Sequence, residues 1–65
     1  MKATVYGETS TAKEYKKQMI VADCGFEWFE FVDGFKLEWS DCSGCFLLYG
    51  LKGRLMARNC YVEIG

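Results

Sequence analysis

Strict alternation of apolar and polar side chains over residues 35–40, Phe-Lys-Leu-Glu-Trp-Ser, predicts a β-strand. The Asp33-Gly34 pair just before it favours a two-residue type I′ turn, because both central residues of that turn need a positive φ. The partner strand would then be residues 26–32, Phe-Glu-Trp-Phe-Glu-Phe-Val. The pattern therefore predicts a β-hairpin centred on Asp33-Gly34.

Residues 26–32 also fit an amphipathic helix, since one side of a helical wheel would carry Trp28, Phe29, Phe31 and Val32, followed by Phe35. The acidic residues Glu27 and Glu30 fall on the other side. We prefer the strand, because the turn signal is strong and the strand over residues 35–40 needs a partner. The helix remains the alternative.

The N-terminal third predicts a strand followed by a helix. Residues 2–6, Lys-Ala-Thr-Val-Tyr, have strand character and end at Gly7. Thr11 and Glu14 have the spacing of a capping box, in which a hydroxyl and a carboxylate cap the first turn of a helix. An apolar stripe at helical spacing follows, formed by Ala12, Tyr15, Met19 and Ala22. Gly25 is a natural end for this helix.

A second hairpin is predicted at the C-terminus, where residues 45–51 and 54–64 flank the two-residue turn Lys52-Gly53. The expected fold class is α+β, with the order β-α-β-β-β-β. One N-terminal helix would pack on a mainly antiparallel sheet of four to five strands. Because the chain has only 65 residues, we expect residues 1–65 to form one complete domain.

The four cysteines are Cys24, Cys42, Cys45 and Cys60. No targeting segment or membrane-length apolar stretch is visible, so we expect a cytoplasmic protein, in the host cell if it is phage-encoded. In a reducing cytosol the cysteines are expected to be thiols or metal ligands. The register of the second hairpin places Cys45 directly opposite Cys60.

Cys42-Ser-Gly-Cys45 is the sharpest motif in the chain. A redox site would need it at the start of a helix, whereas a strand-like run follows it here. A zinc site would recruit all four cysteines, although only one CxxC knuckle is present. We therefore expect no metal and no cofactor, with a cysteine-ligated zinc module acting as a structural or regulatory subunit as the alternative.

Composition argues against catalysis and against direct nucleic-acid binding. The chain has no histidine, so the commonest general base is missing, and no glycine-rich loop matches a phosphate-binding motif. A pI near 5.3 is unfavourable for binding phosphates. We expect a protein that is not an enzyme and that acts by binding another macromolecule.

Charge is concentrated in the middle of the chain. Residues 23–41 carry a net charge of −5, whereas the segments on both sides are each +2. Pairing across Asp33-Gly34 as a two-residue turn puts Trp28, Val32, Leu37 and Trp39 on the core side. Phe29 and Phe31 would then lie on the outer face, surrounded by carboxylates.

An apolar centre with a charged rim is typical of a protein-binding surface. The alternative is that another element covers Phe29 and Phe31 and that the acids are merely solvated. The predicted partner-binding residues are Asp23, Glu27, Phe29, Glu30, Phe31, Asp33, Glu38 and Asp41.

In size, in its lack of targeting and catalytic motifs, and in this acidic cluster, the chain resembles small phage-encoded inhibitors, especially the anti-CRISPR proteins. The resemblance implies a monomer that inhibits a host protein or ribonucleoprotein complex, with a CRISPR surveillance complex as the suspected partner. It also implies partial DNA mimicry, in which carboxylates occupy a basic DNA-binding surface. With a net charge of only −1, such mimicry would have to be local. No contact with a membrane is expected.

Overall fold

The computed structural model describes residues 1–65 and forms a closed six-stranded antiparallel barrel, in which consecutive strands pair and β6 returns to β1. The strands are β1 (Lys2–Glu8), β2 (Glu14–Cys24), β3 (Trp28–Phe31), β4 (Lys36–Ser40), β5 (Cys45–Tyr49) and β6 (Leu55–Ile64). One three-residue 3₁₀ turn, Leu51–Gly53, joins β5 to β6. No helix in the structure is long and apolar enough to cross a membrane.

The predicted N-terminal helix is wrong, and with it the α+β fold class, because residues 14–24 form strand β2. Tyr15 and Met19 lie four positions apart, a spacing that places two side chains on one face in both a helix and a strand. Within β2 the more buried positions alternate with exposed ones from Tyr15 to Val21. Pairing with β1 on one side and β3 on the other therefore outweighs the helical stripe.

The predicted capping box is part of a hairpin loop. The hydroxyl of Thr9, rather than that of Thr11, accepts a hydrogen bond from the backbone N–H of Lys13 at 3.2 Å. The backbone N–H of Thr9 donates to the carbonyl of Lys13 at 2.8 Å, and Ala12 adopts a φ of 61°. These contacts reverse the chain between β1 and β2, so that β2 runs back along β1.

Both predicted hairpins exist, but each has a longer loop than expected. In the first, the N–H of Phe31 donates to the carbonyl of Phe35, which leaves three residues, 32–34, in the loop. Gly34 has a φ of 95°, as expected for the last residue of a three-residue loop. In the second, Gly50 donates to Arg54, and the 3₁₀ turn lies between them.

The core lies inside the barrel and receives side chains from all six strands. Val5, Leu37 and Leu48 are completely buried. Around them lie the other buried apolar residues: Ala3, Met19, Phe31, Ala57 and Cys60. Ten large apolar side chains, by contrast, are exposed.

Candidate functional site

The outer face of the β3–β4 hairpin carries tryptophan and carboxylate side chains. Trp28 lies opposite Glu38, and Glu30 lies opposite Lys36, in antiparallel pairs. Because side chains alternate between the two faces of a strand, residues on either side of the buried Leu37 point away from the core. The hairpin therefore presents an alternating apolar and charged surface to solvent.

A groove of about 370 Å³ lies along this hairpin. The backbone N–H of Trp39 donates to the carbonyl of Glu27 at 3.0 Å, which extends the pairing of the two strands beyond Trp28. We call the depression the Trp–Glu groove. Its lining residues are Glu27, Trp28, Phe29, Glu30, Lys36, Glu38 and Trp39.

Trp39, near the end of β4, is held in place by two contacts. Its indole N–H donates to a carboxylate oxygen of Asp41 at 2.9 Å. Its ring meets Phe46 of β5 edge to face, with ring centroids 5.2 Å apart and an interplanar angle of 78°. Edge-to-face geometry is a favoured arrangement of aromatic pairs. The indole is therefore oriented although 40% of the residue is exposed.

Trp28 lies against the backbone of Gly25, just before β3. A Cβ atom built on Gly25 would come within 2.2 Å of the indole nitrogen of Trp28. The indole can occupy this position only because residue 25 lacks a side chain. The N–H of Gly25 donates to the carbonyl of Trp28 at 2.9 Å, which fixes the backbone of the approach to β3.

The three glutamates of the groove have no partner within the chain. The single salt bridge of the molecule joins Lys17 to Asp33, with 3.5 Å between nitrogen and oxygen. No side-chain hydrogen bond ends on Glu27, Glu30 or Glu38. Three unpaired carboxylates and one lysine therefore line the groove, which has negative charge in excess.

The three aspartates of the predicted acidic cluster have local structural partners. Asp33 accepts from the N–H of Phe35 at 3.2 Å and pairs with Lys17. Asp23 accepts from the N–H of Cys24 at 2.9 Å. Asp41 accepts from the Trp39 indole. The structure thus separates the predicted cluster into glutamates that line the groove and aspartates that stabilise turns and orient a ring.

The prediction that Phe29 and Phe31 form an exposed apolar centre is wrong. Phe31 is 3% exposed and belongs to the core, and Phe29 is half-buried against it. The cause is the three-residue loop, which pairs Phe29 with Leu37, whereas the two-residue turn would pair it with Glu38. A shift of one residue transfers every side chain of a strand to the other face.

The same shift brings out Trp28, which we expected on the core side. Trp39 keeps the face of Leu37, two residues before it, but it lies near the end of β4 and is 40% exposed. Trp28 is 37% exposed, and Val32 in the loop is 67% exposed. A signal for this register was present in the sequence. The two-residue turn would have placed Glu30 on the core face between Trp28 and Val32, and a buried unpaired carboxylate is costly.

The cysteines are not gathered at one point. No group of three or more histidine, cysteine or acidic residues has a geometry that could hold a metal ion. The predicted pairing of Cys45 with Cys60 is wrong, because Cys60 lies opposite Phe46. Irregularities in the β5–β6 pairing, together with the longer loop, shift the register. All four thiols are free, and Cys24 and Cys42 are exposed.

Burial raises the pKa of the Cys60 thiol to about 11, although a backbone hydrogen bond from Leu48 acts in the opposite direction. Cys45 nearby raises it further. Burial also raises the pKa of Tyr15, with smaller contributions from Asp33 and Cys60. Neither group lines the groove: Cys60 belongs to the core, and Tyr15 is partly buried against it.

Comparison of the chain with models of protein families, with curated proteins and with solved structures finds no match.

Proposed function

We propose that this chain is a non-catalytic inhibitor that binds a basic, nucleic-acid-binding surface of a host protein complex through the Trp–Glu groove. The observation that carries the proposal is the placement of three unpaired glutamates beside two partly exposed tryptophans on one hairpin. Tryptophan is among the residues that contribute most to binding energy at protein interfaces. Charges around such residues steer association and reject unsuitable partners.

The candidate partner is a CRISPR surveillance complex, as the resemblance to anti-CRISPR proteins suggests. Lysine and arginine side chains that bind DNA phosphates would instead contact Glu27, Glu30 and Glu38. Occupation of those side chains would exclude the DNA. The mimicry is local, because it uses the −5 segment of a chain whose net charge is only −1.

The test measures target-DNA binding by purified, guide-loaded surveillance complexes of several types, with increasing amounts of this protein. We expect stoichiometric loss of DNA binding for at least one type, seen as disappearance of the shifted band in gel electrophoresis. Combined replacement of Glu27, Glu30 and Glu38 by glutamine should abolish the inhibition. These glutamates are exposed, so the variant should keep the stability of the unmodified protein.

The matched control is Glu14→Gln, which removes an exposed carboxylate of β2 that does not line the groove. It should inhibit like the unmodified protein. The proposal fails if no complex loses DNA binding. It also fails if the folded triple variant inhibits at full strength, because the groove would then not be the interface.

A further inference from the structure

The rings and carboxylates of the Trp–Glu groove have no lysine partner of the kind that Tyr6, Phe35 and Asp33 have. Lys17 lies 4.0 Å from the centre of the Phe35 ring and also pairs with Asp33. Lys16 lies 5.6 Å from the centre of the Tyr6 ring. No cation of the chain lies over Trp28 or Trp39. Tryptophan, however, is the side chain whose ring attracts cations most strongly.

Lys36 is the one cation that lines the groove, and it does not fill this role. It forms no ion pair within 4.0 Å and contacts no aromatic ring as a cation. The groove therefore combines aromatic faces and negative charge with no cation bound to either. Its volume of about 370 Å³ is at the small end of ligand sites, which hold roughly 300–1,000 Å³, and suits one side chain.

We propose that the Trp–Glu groove binds an arginine side chain of the partner, with the guanidinium stacked on a tryptophan ring and hydrogen-bonded to Glu38 or its neighbouring glutamates. This inference rests on the proposed function and names the group that the groove recognises.

Arginine fits the lining better than other cations. A guanidinium is planar, so it stacks on an indole while its N–H groups at the edge donate to a carboxylate. A quaternary ammonium can lie over the indole and attract the carboxylates by its charge, but it has no N–H to donate, so the three carboxylates would accept no hydrogen bond from it. The ammonium of lysine donates but cannot stack as a plane.

The two rings are already oriented before a ligand enters. Asp41 and Phe46 hold the Trp39 indole, and the space above Gly25 receives the Trp28 indole. Orientation in the free protein lowers the entropic cost of binding. It also makes Gly25 a test position outside the groove lining, because a methyl group there must displace Trp28 without changing the identity of any groove residue.

The test titrates the intact protein with the peptide acetyl-Gly-Arg-Gly-amide and follows the two indole N–H signals by NMR. The matched probe carries citrulline, which has the shape of arginine without its charge. We expect the arginine peptide to shift the signals of Trp28 and Trp39, and the citrulline peptide to bind about tenfold more weakly, as loss of a charge-assisted hydrogen bond implies. The lysine and trimethyl-lysine peptides should also bind more weakly than arginine.

Two variants locate the binding. Glu38→Gln should weaken arginine binding about tenfold, whereas Glu14→Gln should leave it unchanged. Gly25→Ala should weaken it through displacement of Trp28, with the dispersion of the backbone amide signals showing that the barrel remains folded.

Equal binding of the arginine and citrulline peptides, or stronger binding of trimethyl-lysine, would overturn the inference. So would the absence of any shift at Trp28 and Trp39. If the protein inhibits a surveillance complex and yet does not distinguish the peptides, the proposed function stands and this inference falls. If it binds arginine and inhibits no complex, the inference stands and the proposed function falls.

Discussion

At the scale of single residues, side-chain length separates the acidic groups of residues 23–41. Each aspartate accepts a hydrogen bond from a donor one or two residues away, as Asp23 does from the N–H of Cys24, and Asp33 also pairs with Lys17 of β2. The longer glutamates Glu27, Glu30 and Glu38 extend from exposed strand or loop positions and meet no donor of the chain. Acidic residues that look equivalent in a charge count therefore serve different purposes in the folded protein.

The first residue-scale prediction concerns thiol reactivity. Cys60 is buried and its pKa is raised to about 11, so at pH 8 it is protonated as well as shielded from solvent. Because only the thiolate attacks disulfide reagents, we expect Cys24 and Cys42 to react quickly and Cys60 only when the barrel opens. The rate of release of the coloured thiol from Ellman's reagent measures this.

In denaturant all four cysteines should react at similar rates, which serves as the control. The raised pKa also sets the sign of the pH dependence. Folding favours the neutral thiol of Cys60. The contribution of this group to the free energy of unfolding is therefore fully present below the ordinary thiol pKa and is lost as pH rises through about 11. Rapid labelling of Cys60 in the native protein would contradict this account.

At the scale of elements, the loop between β3 and β4 determines the site. Its three residues place Phe31 in the core and Trp28 outside. The loop also packs on the end of the barrel, because Asp33 pairs with Lys17 and the Lys17 ammonium lies over the Phe35 ring. The loop that sets the register is thus tied to β2, which stabilises one register over its alternatives.

Gly34→Ala tests this loop. Residue 34 has a φ of 95°, and a Cβ atom there would lie 2.8 Å from the Cδ2 atom of Leu51. We expect the free energy of unfolding to fall by about 1–2 kcal/mol from backbone strain alone, and further because Leu51 must move. Urea denaturation followed by tryptophan fluorescence gives the value.

Gly44→Ala is the matched control, because residue 44 also has a positive φ, of 66°, but no atom lies within 4 Å of the added carbon. Gly44→Ala should introduce the backbone strain alone, so its free energy of unfolding should fall by less than that of Gly34→Ala. An unchanged stability of Gly34→Ala would mean that the loop adopts another conformation and that the register of β3 needs revision.

At the scale of the whole molecule, a barrel of 65 residues leaves little interior for an enclosed site. Its core has eight buried apolar residues, and the Trp–Glu groove lies on the outside. Charges of opposite sign are segregated along the chain, with a net charge of −5 over residues 23–41 and +2 in each flanking segment. The proposed binding would therefore use a surface whose local negative charge is larger than the net charge of −1.

Salt should weaken binding to the partner complex. Exposed charges are screened over about 8 Å at physiological ionic strength, so the contribution of Glu27, Glu30 and Glu38 falls as salt is added. Affinity measured at several salt concentrations should decline steadily for the unmodified protein. The affinity of the variant with all three glutamates replaced by glutamine should depend little on salt concentration. If salt leaves the affinity of the unmodified protein unchanged, the tryptophans dominate binding instead.

From the sequence alone, local signals determined the two hairpins, the strands over residues 2–6 and 35–40, and the acidic segment, because turn residues and alternation act over short distances. Only the tertiary structure decided that residues 14–24 are a strand, since the four-residue spacing of Tyr15 and Met19 suits a helix equally well. It also decided the closure of β6 on β1, which joins the two ends of the chain. The groove depends on a loop of three residues instead of two between β3 and β4. Period-two alternation does not specify this loop length, yet the one-residue difference buries Phe31 and exposes Trp28.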